Sequence, residues 1–367
     1  MTLATPSSPE PLPRPAIPEP RALGGPVTVI DTSTQSLARL MVQRLHSSDW
    51  TPSLRARALG GMGYGLDGDD DGLAGLPVPV LEPSQPCIDA WIASGPLRSG
   101  RQGAVRWRHD GHWLYGALDI ADAEADLAEV TRLAYRDVFD TLKATGFAHL
   151  QRVWNYLPRI NNANDGLERY RRFNIGRQQA FIDTDHNAFE GAPAACALGT
   201  GAGSLRLRFL AGVQAPVPVE NPRQVSAYRY PQSYGPRSPS FSRAAVANAG
   251  AGRVALFVSG TASIVGHSTQ HAGDVQAQTR ETLTNLRTVI AAAQAHSSAP
   301  LSLPELVCCV YVRHAEDRAA VQAVLDADWG CDSLAARQAV YLQADICRAD
   351  LLVEVEGHLI TEGSIKA

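Results

Sequence analysis

The sequence predicts an α/β protein of two similar lobes, each a mixed β-sheet with helices packed on one face. Three observations lead there. Two long stretches carry apolar residues at helical spacing, and short alternating apolar runs flank each of them. The order strand ending in glycine, helix, strand, arginine-bearing segment occurs twice, which points to duplication of one folding unit. At 367 residues the chain is long enough for two ordinary domains.

Residues 1–25 hold Pro6, Pro9, Pro11, Pro13, Pro15, Pro18 and Pro20 with almost no apolar periodicity, the pattern of a disordered tail. The first lobe is expected over 26–215. Within it Trp113–Gly116 reads as a strand. Ala134–Lys143 places apolar residues along one helical face, and Arg152–Pro158 reads as a second strand. The segment Ile175–Phe181 follows. Pro216, Pro218 and Pro222 mark a link, and the second lobe is expected over 216–367. It repeats the order: strand Ala255–Gly260, helix Thr279–Ile290, strand Cys309–His314. Then comes Ala335–Tyr341, which echoes Ile175–Phe181 and so pairs Arg337 with Arg177.

Several tempting motifs fail on physical grounds. Gly63, Gly65 and Gly68 satisfy the dinucleotide-binding spacing, yet Asp69, Asp70 and Asp71 follow where a helix N-terminus would receive a pyrophosphate. A flexible turn fits better. The Asp67–Gly72 run lacks the downstream glutamate of a calcium loop, since position 12 from Asp67 is Val78, and reads as a solvated acidic turn. His267 and His271 lack the glutamate that zinc proteases carry, so no metal is expected. Neither a phosphate loop nor a serine-hydrolase elbow is found, and no cofactor is called for.

A formal charge of −4 gives no pull toward nucleic acid or anionic membrane, and there is no run of about 18 apolar residues to span a bilayer and no signal-peptide pattern. Six cysteines without metal spacing fit free thiols in a reducing cytoplasm.

The chemistry gathers near the C-terminus. Asp350–Gly357 reads as a strand with Leu352, Glu354 and Glu356 on one face and Val353 and Val355 on the other. A carboxyl among apolar neighbours resists ionisation and can hold a proton near neutral pH. Arg337, with a guanidinium fork that matches a carboxylate, stands nearby in sequence. The pair suggests a site that grips an organic acid and donates a proton to it. The same residues also suit an exposed strand face with one structural ion pair.

Motifs add a resemblance. Tyr234–Ser238, Leu256–Ser263, Gln278–Leu286, Ala336–Arg337 and Val353–Glu356 resemble the Rid (YjgF) family over roughly residues 222–357. The whole chain from about residue 27 to 357, with Arg152–Asn161 and Tyr170–Arg177 in its first half, is similar to the chorismatases, two-lobed relatives of the Rid fold. The resemblance implies removal of pyruvate from the small-molecule substrate chorismate. Some members hydrolyse it to a dihydroxycyclohexadiene carboxylate, others give 3-hydroxybenzoate, and a bifunctional xanthomonadin-type group gives 3- and 4-hydroxybenzoate. It implies that Glu354 is the proton donor. It also implies that Gly260 and Cys347 match the pocket pattern of the benzoate-forming members. Chorismate carries two carboxylates, so Arg337, Arg177 and the Tyr228 hydroxyl are candidate binding groups, and Glu356 a charge partner that raises the pKa of Glu354. A monomer is expected, because one chain carries contacts that Rid proteins make between subunits, with an oligomer as the alternative. Two rivals stand beside this reading: a Rid-type enamine or imine deaminase, and a non-catalytic small-acid binding module.

Overall fold

The computed structural model describes residues 39–70, 72–121 and 126–366. The proline-rich stretch 1–25, and Asp71 of the acidic run, lie outside them.

Both lobes form the expected mixed sheet with helices on one face. In the N-terminal sheet the strand order is Asp345–Ile346, Ala194–Thr200, His149–Pro158, Ser204–Gly212, Trp113–Ala121, Val105–His109, Arg98–Gln102. In the C-terminal sheet it is Val217–Val219, Ala244–Gly250, Arg253–Ala262, Val353–Glu362, Val307–Val312, Val340–Gln343, Val80–Glu82. Each sheet has one parallel pair formed across a helical crossover, His149–Pro158 with Ala194–Thr200 and Val307–Val312 with Val340–Gln343.

The helices lie where the periodicity puts them. Leu127–Thr145 is capped by the Asp126 carboxylate, which accepts from the Ala128 N–H, and is closed by Gly146 in the left-handed region. Its Leu127, Tyr135, Val138, Phe139 and Leu142 are buried against the N-terminal sheet and the helix Arg169–Asp183. Val275–Ala293, capped by Asp274, buries Leu283, Leu286, Val289 and Ile290 against the C-terminal sheet.

Three features depart from the sequence expectation. Met41–Ile92 contributes a third, five-stranded sheet, in the order Met41–His46, Cys87–Ile92, Ala58–Tyr64, Leu73–Leu76, Asp69–Asp70. Its inner face shares one core with the two large sheets, in which Tyr64, Trp91, Trp154, Tyr156, Phe257 and Tyr311 meet. Val217–Val219 is no free link but an edge strand on Ala244–Gly250. The lobes also exchange edges: Val80–Glu82 pairs with Val340–Gln343, and Asp345–Ile346 pairs with Ala194–Thr200.

The glycine motif at 63–68 ends a strand in a turn, with Gly65 and Gly68 at positive φ, and no helix follows. The acidic run does more than meet solvent: Asp69 pairs with Arg106, and Asp67 lies 3.6 Å from Arg206.

Candidate active site

The strand Val353–Glu362 divides its side chains between two environments. Val353 and Val355 join the core beneath the helices. Glu354 and Glu356 face the interior between the sheets, 3% and 2% exposed. On the neighbouring strand Arg253–Ala262, Ala262 stands opposite Glu354, and register is lost between Val258 and Thr261, across from Glu356, in a bulge that carries Ser259 and Gly260. Ser259 is anchored at the seam of the two sheets: its hydroxyl donates to the Ser242 carbonyl (2.6 Å) and accepts from the Ala195 N–H (2.9 Å). Gly260 is held against the acid, since a Cβ there would overlap the Glu354 Oε1 and come within 3.2 Å of the Cys196 Cβ.

Glu354, Gly260 and Cys347 line one cavity of about 420 Å³, together with Tyr170, Tyr230, Tyr234, Arg243 and Arg348. That is the size of a small-ligand site. Burial raises the Glu354 carboxyl to about 8, while Arg152 and Arg243 pull the other way. Glu356 is not the cause of the rise, contrary to the sequence expectation. It is taken up in an ion pair with Arg152 and accepts from the Tyr311 hydroxyl at 2.6 Å. Burial pushes the Cys347 thiol up to about 12, so it lines the wall as a neutral group rather than a thiolate.

Two arginines supply the cationic wall. Arg243 donates to the Val225 carbonyl (2.9 Å) and the Tyr230 hydroxyl (2.8 Å), and its Nε is buried without a partner among the described residues. Arg348 donates to the His267 carbonyl (2.8 Å) and lies 4.1 Å from the Tyr234 ring centroid and 5.1 Å from that of Tyr230. Its Nη2 is also buried without a partner. Two guanidinium groups in the wall of one cavity, each with donor capacity to spare, suit an anionic ligand. Among the described residues no cluster of His, Cys, Asp and Glu fits a metal ion.

Three sequence candidates lie elsewhere. Arg337 is exposed on the short helix Leu334–Gln338, on the helical side of the C-terminal sheet. Arg177 is in the middle of the helix Arg169–Asp183, buried with its guanidinium 5.2 Å from the Tyr135 ring centroid and 5.7 Å from that of Phe181. Both arginines thus lie on the helical crossover of their own lobe, and neither lines the cavity. Tyr228 is on the turn Ala227–Arg229 and also misses the wall, which Tyr230 and Tyr234 reach from the same tyrosine-rich stretch. Arg348 could have been found, since it follows Cys347 directly. Arg243 gives no pattern in sequence.

Comparison with known proteins agrees with this architecture. Residues 89–211 match the family described as chorismatase FkbO/Hyg5-like, N-terminal. A 3-hydroxybenzoate synthase from Streptomyces hygroscopicus is 37% identical over 78% of this chain and 86% of its own length. A chorismatase from Streptomyces rapamycinicus is 39% identical over 73% of this chain and 81% of its own. A crystal structure of a chorismatase superposes with a TM-score of 0.79 at 30% identity, covering 88% of this chain and 99% of that one. With relatives this similar over most of their length, the chain belongs to the chorismatase family.

Proposed function

We propose that this enzyme cleaves chorismate to pyruvate and 3-hydroxybenzoate, with Glu354 as the general acid. An enol ether breaks once its terminal CH2 carbon takes a proton and leaves an oxocarbenium ion. Carbon is a sluggish base, so a positioned acid still protonated near neutral pH is required. The observation that carries the reading is the Glu354 carboxyl, buried, raised to about 8 and facing a cavity walled by two arginines with unpartnered N–H groups. Arg243 and Arg348 take the role expected of Arg177 and Arg337, holding the two carboxylates, with the Tyr230 and Tyr234 hydroxyls beside them.

After protonation the cation is attacked by water or by the substrate's own ring hydroxyl. The first outcome gives a hemiketal that collapses to pyruvate and a non-aromatic diol. The second gives a cyclic ketal whose ring C4–O bond breaks as the C3 proton leaves, so the ring aromatises to 3-hydroxybenzoate and pyruvate is released. Gly260 and Cys347 leave the ring room to settle with its hydroxyl near the cation, which favours the aromatic product and admits 4-hydroxybenzoate as a minor one. The name of the 37%-identical relative supports the same choice. Incubating pure protein with chorismate and separating the products by chromatography tests the reading. Pyruvate with 3-hydroxybenzoate is expected. Diol alone would overturn the product, and no turnover would overturn the activity.

A further inference from the structure

Arg152 is a hazard to an acid that must keep its proton. Its guanidinium reaches in from the N-terminal sheet, is 2% exposed, and lies near enough to Glu354 to favour the ionised carboxylate. A buried cation without a counterion draws charge from the nearest carboxyl. Arg152 has a counterion of its own in Glu356, two residues along the same strand face. The other Glu356 oxygen accepts from Tyr311, whose hydroxyl meets that of Tyr156 at 3.0 Å. Both tyrosines and both charged groups are buried, so the pair is fixed on both sides.

We propose that Glu356 is a positioning residue: by holding Arg152 as its own partner, it leaves the Glu354 carboxyl neutral and free to give its proton into the cavity. This rests on Glu354 being the acid. The remaining titratable groups around the pair do not replace Glu356. Cys196 and Cys347 are thiols pushed up to about 12 by burial, and burial likewise raises the Tyr170 phenol. Burial takes His358 down to about 4 and leaves it neutral, and Asp89, which lines a small cavity with Arg152 and Glu356, is already taken by Arg44. Arg243, the other cation near Glu354, has Glu220 within electrostatic reach.

The test is an infrared titration of the protonated-carboxyl C=O stretch, with Glu354→Gln assigning the Glu354 band and the pH profile of kcat/KM measured alongside. In Glu356→Gln the Glu354 midpoint should fall by at least one pH unit, and the alkaline limb of kcat/KM should move with it. In the double variant Arg152→Met/Glu356→Gln both buried charges are gone, and the midpoint should return to the wild-type value or above. The double variant leaves no unpaired buried charge, so it tests the same point if the single one fails to fold. An unmoved midpoint in Glu356→Gln, or a lowered one in the double variant, overturns the counterion role even if activity falls. If Glu354→Gln removes no band from the wild-type spectrum, the acid reading fails and takes this proposal with it.

Discussion

Two places in this molecule share a strand geometry and differ in chemistry. In the C-terminal sheet Tyr311 stands opposite Glu354 and Cys309 opposite Glu356. In the N-terminal sheet Tyr156 stands opposite Arg206 and Trp154 opposite Arg208. The two tyrosines touch hydroxyl to hydroxyl, so the pairs are counterparts around a common centre. What differs is the next strand. Trp113–Ala121 runs beside Ser204–Gly212 in unbroken register and sets Asp119 opposite Arg206, where it pairs with both Arg206 and Arg208. Arg253–Ala262 bulges instead across from Glu356, sets Ala262 opposite Glu354, and folds Gly260 against the Glu354 carboxyl. Charges matched in register become internal glue. Glu354, with an alanine opposite it on that strand and a glycine against its carboxyl, has no counterion in register and has a cavity before it.

The largest expected effect breaks the chemistry and spares the glue. Glu354→Gln should lower pyruvate release by roughly 10²–10⁴-fold; more than about a tenth of wild-type turnover would move the acid elsewhere. Wild-type kcat/KM should hold below about pH 8 and fall above it as the acid ionises.

Stability should answer with opposite signs at the two places. The folded-state value of Glu354 is raised from 4.5 to about 8, so between those pH values the native state binds the extra proton and stability falls as pH rises. Glu354→Gln lacks that liability and should gain on wild type across this window, by at most about 5 kcal/mol at pH 8. Asp119→Asn should instead lose about 1–3 kcal/mol at neutral pH, because buried Arg208 loses its close counterion and keeps only Asp69 at 3.9 Å. Urea denaturation at pH 5 and pH 8 reads both. A loss at 354 that grows with pH would reverse the comparison.

Smaller effects sharpen the cavity side. Arg348→Lys keeps a charge but loses the planar fork and the stacking on Tyr234, and should raise KM about tenfold with kcat little changed, the size of a 1.4 kcal/mol loss. An unchanged KM would return Arg348 to a structural role. Cys347→Ala should shift the ratio of hydroxybenzoate to diol by a few-fold with chorismate still consumed, since under about 1.4 kcal/mol in relative barriers suffices. A fixed ratio would remove Cys347 from product choice. Gly260→Ala is a poorer probe of that choice, because the added methyl strikes the acid itself.

Much of the acid side was legible because strand alternation exposes it. Glu354 alternates with Val353 and Val355, and the bulge glycine and Cys347 sit in short motifs. The cationic side was not. Arg243 and Arg348 lie outside regular strands, where no period announces which way a side chain turns. Arg177 misled because Arg-Tyr-Arg-Arg-Phe-Asn mixes buried and half-buried polar residues around the helix and so shows little amphipathic period. The third sheet was missed for a related reason: Ala-Leu-Gly-Gly-Met-Gly-Tyr is buried all along, so it shows no alternation, and its glycines lower strand propensity.

The exchanged edges set the order of assembly during synthesis. Val80–Glu82 leaves the ribosome early, yet its partner Val340–Gln343 is among the last strands made, and Ala194–Thr200 waits likewise for Asp345–Ile346. The first half of the chain therefore emerges with an open sheet edge and an unpaired strand, both sticky toward other nascent chains. Gene fragments ending near residue 215 should inherit that exposure for good. Tied at both edges, the two sheets cannot be separated by one cut near residue 215 without opening both.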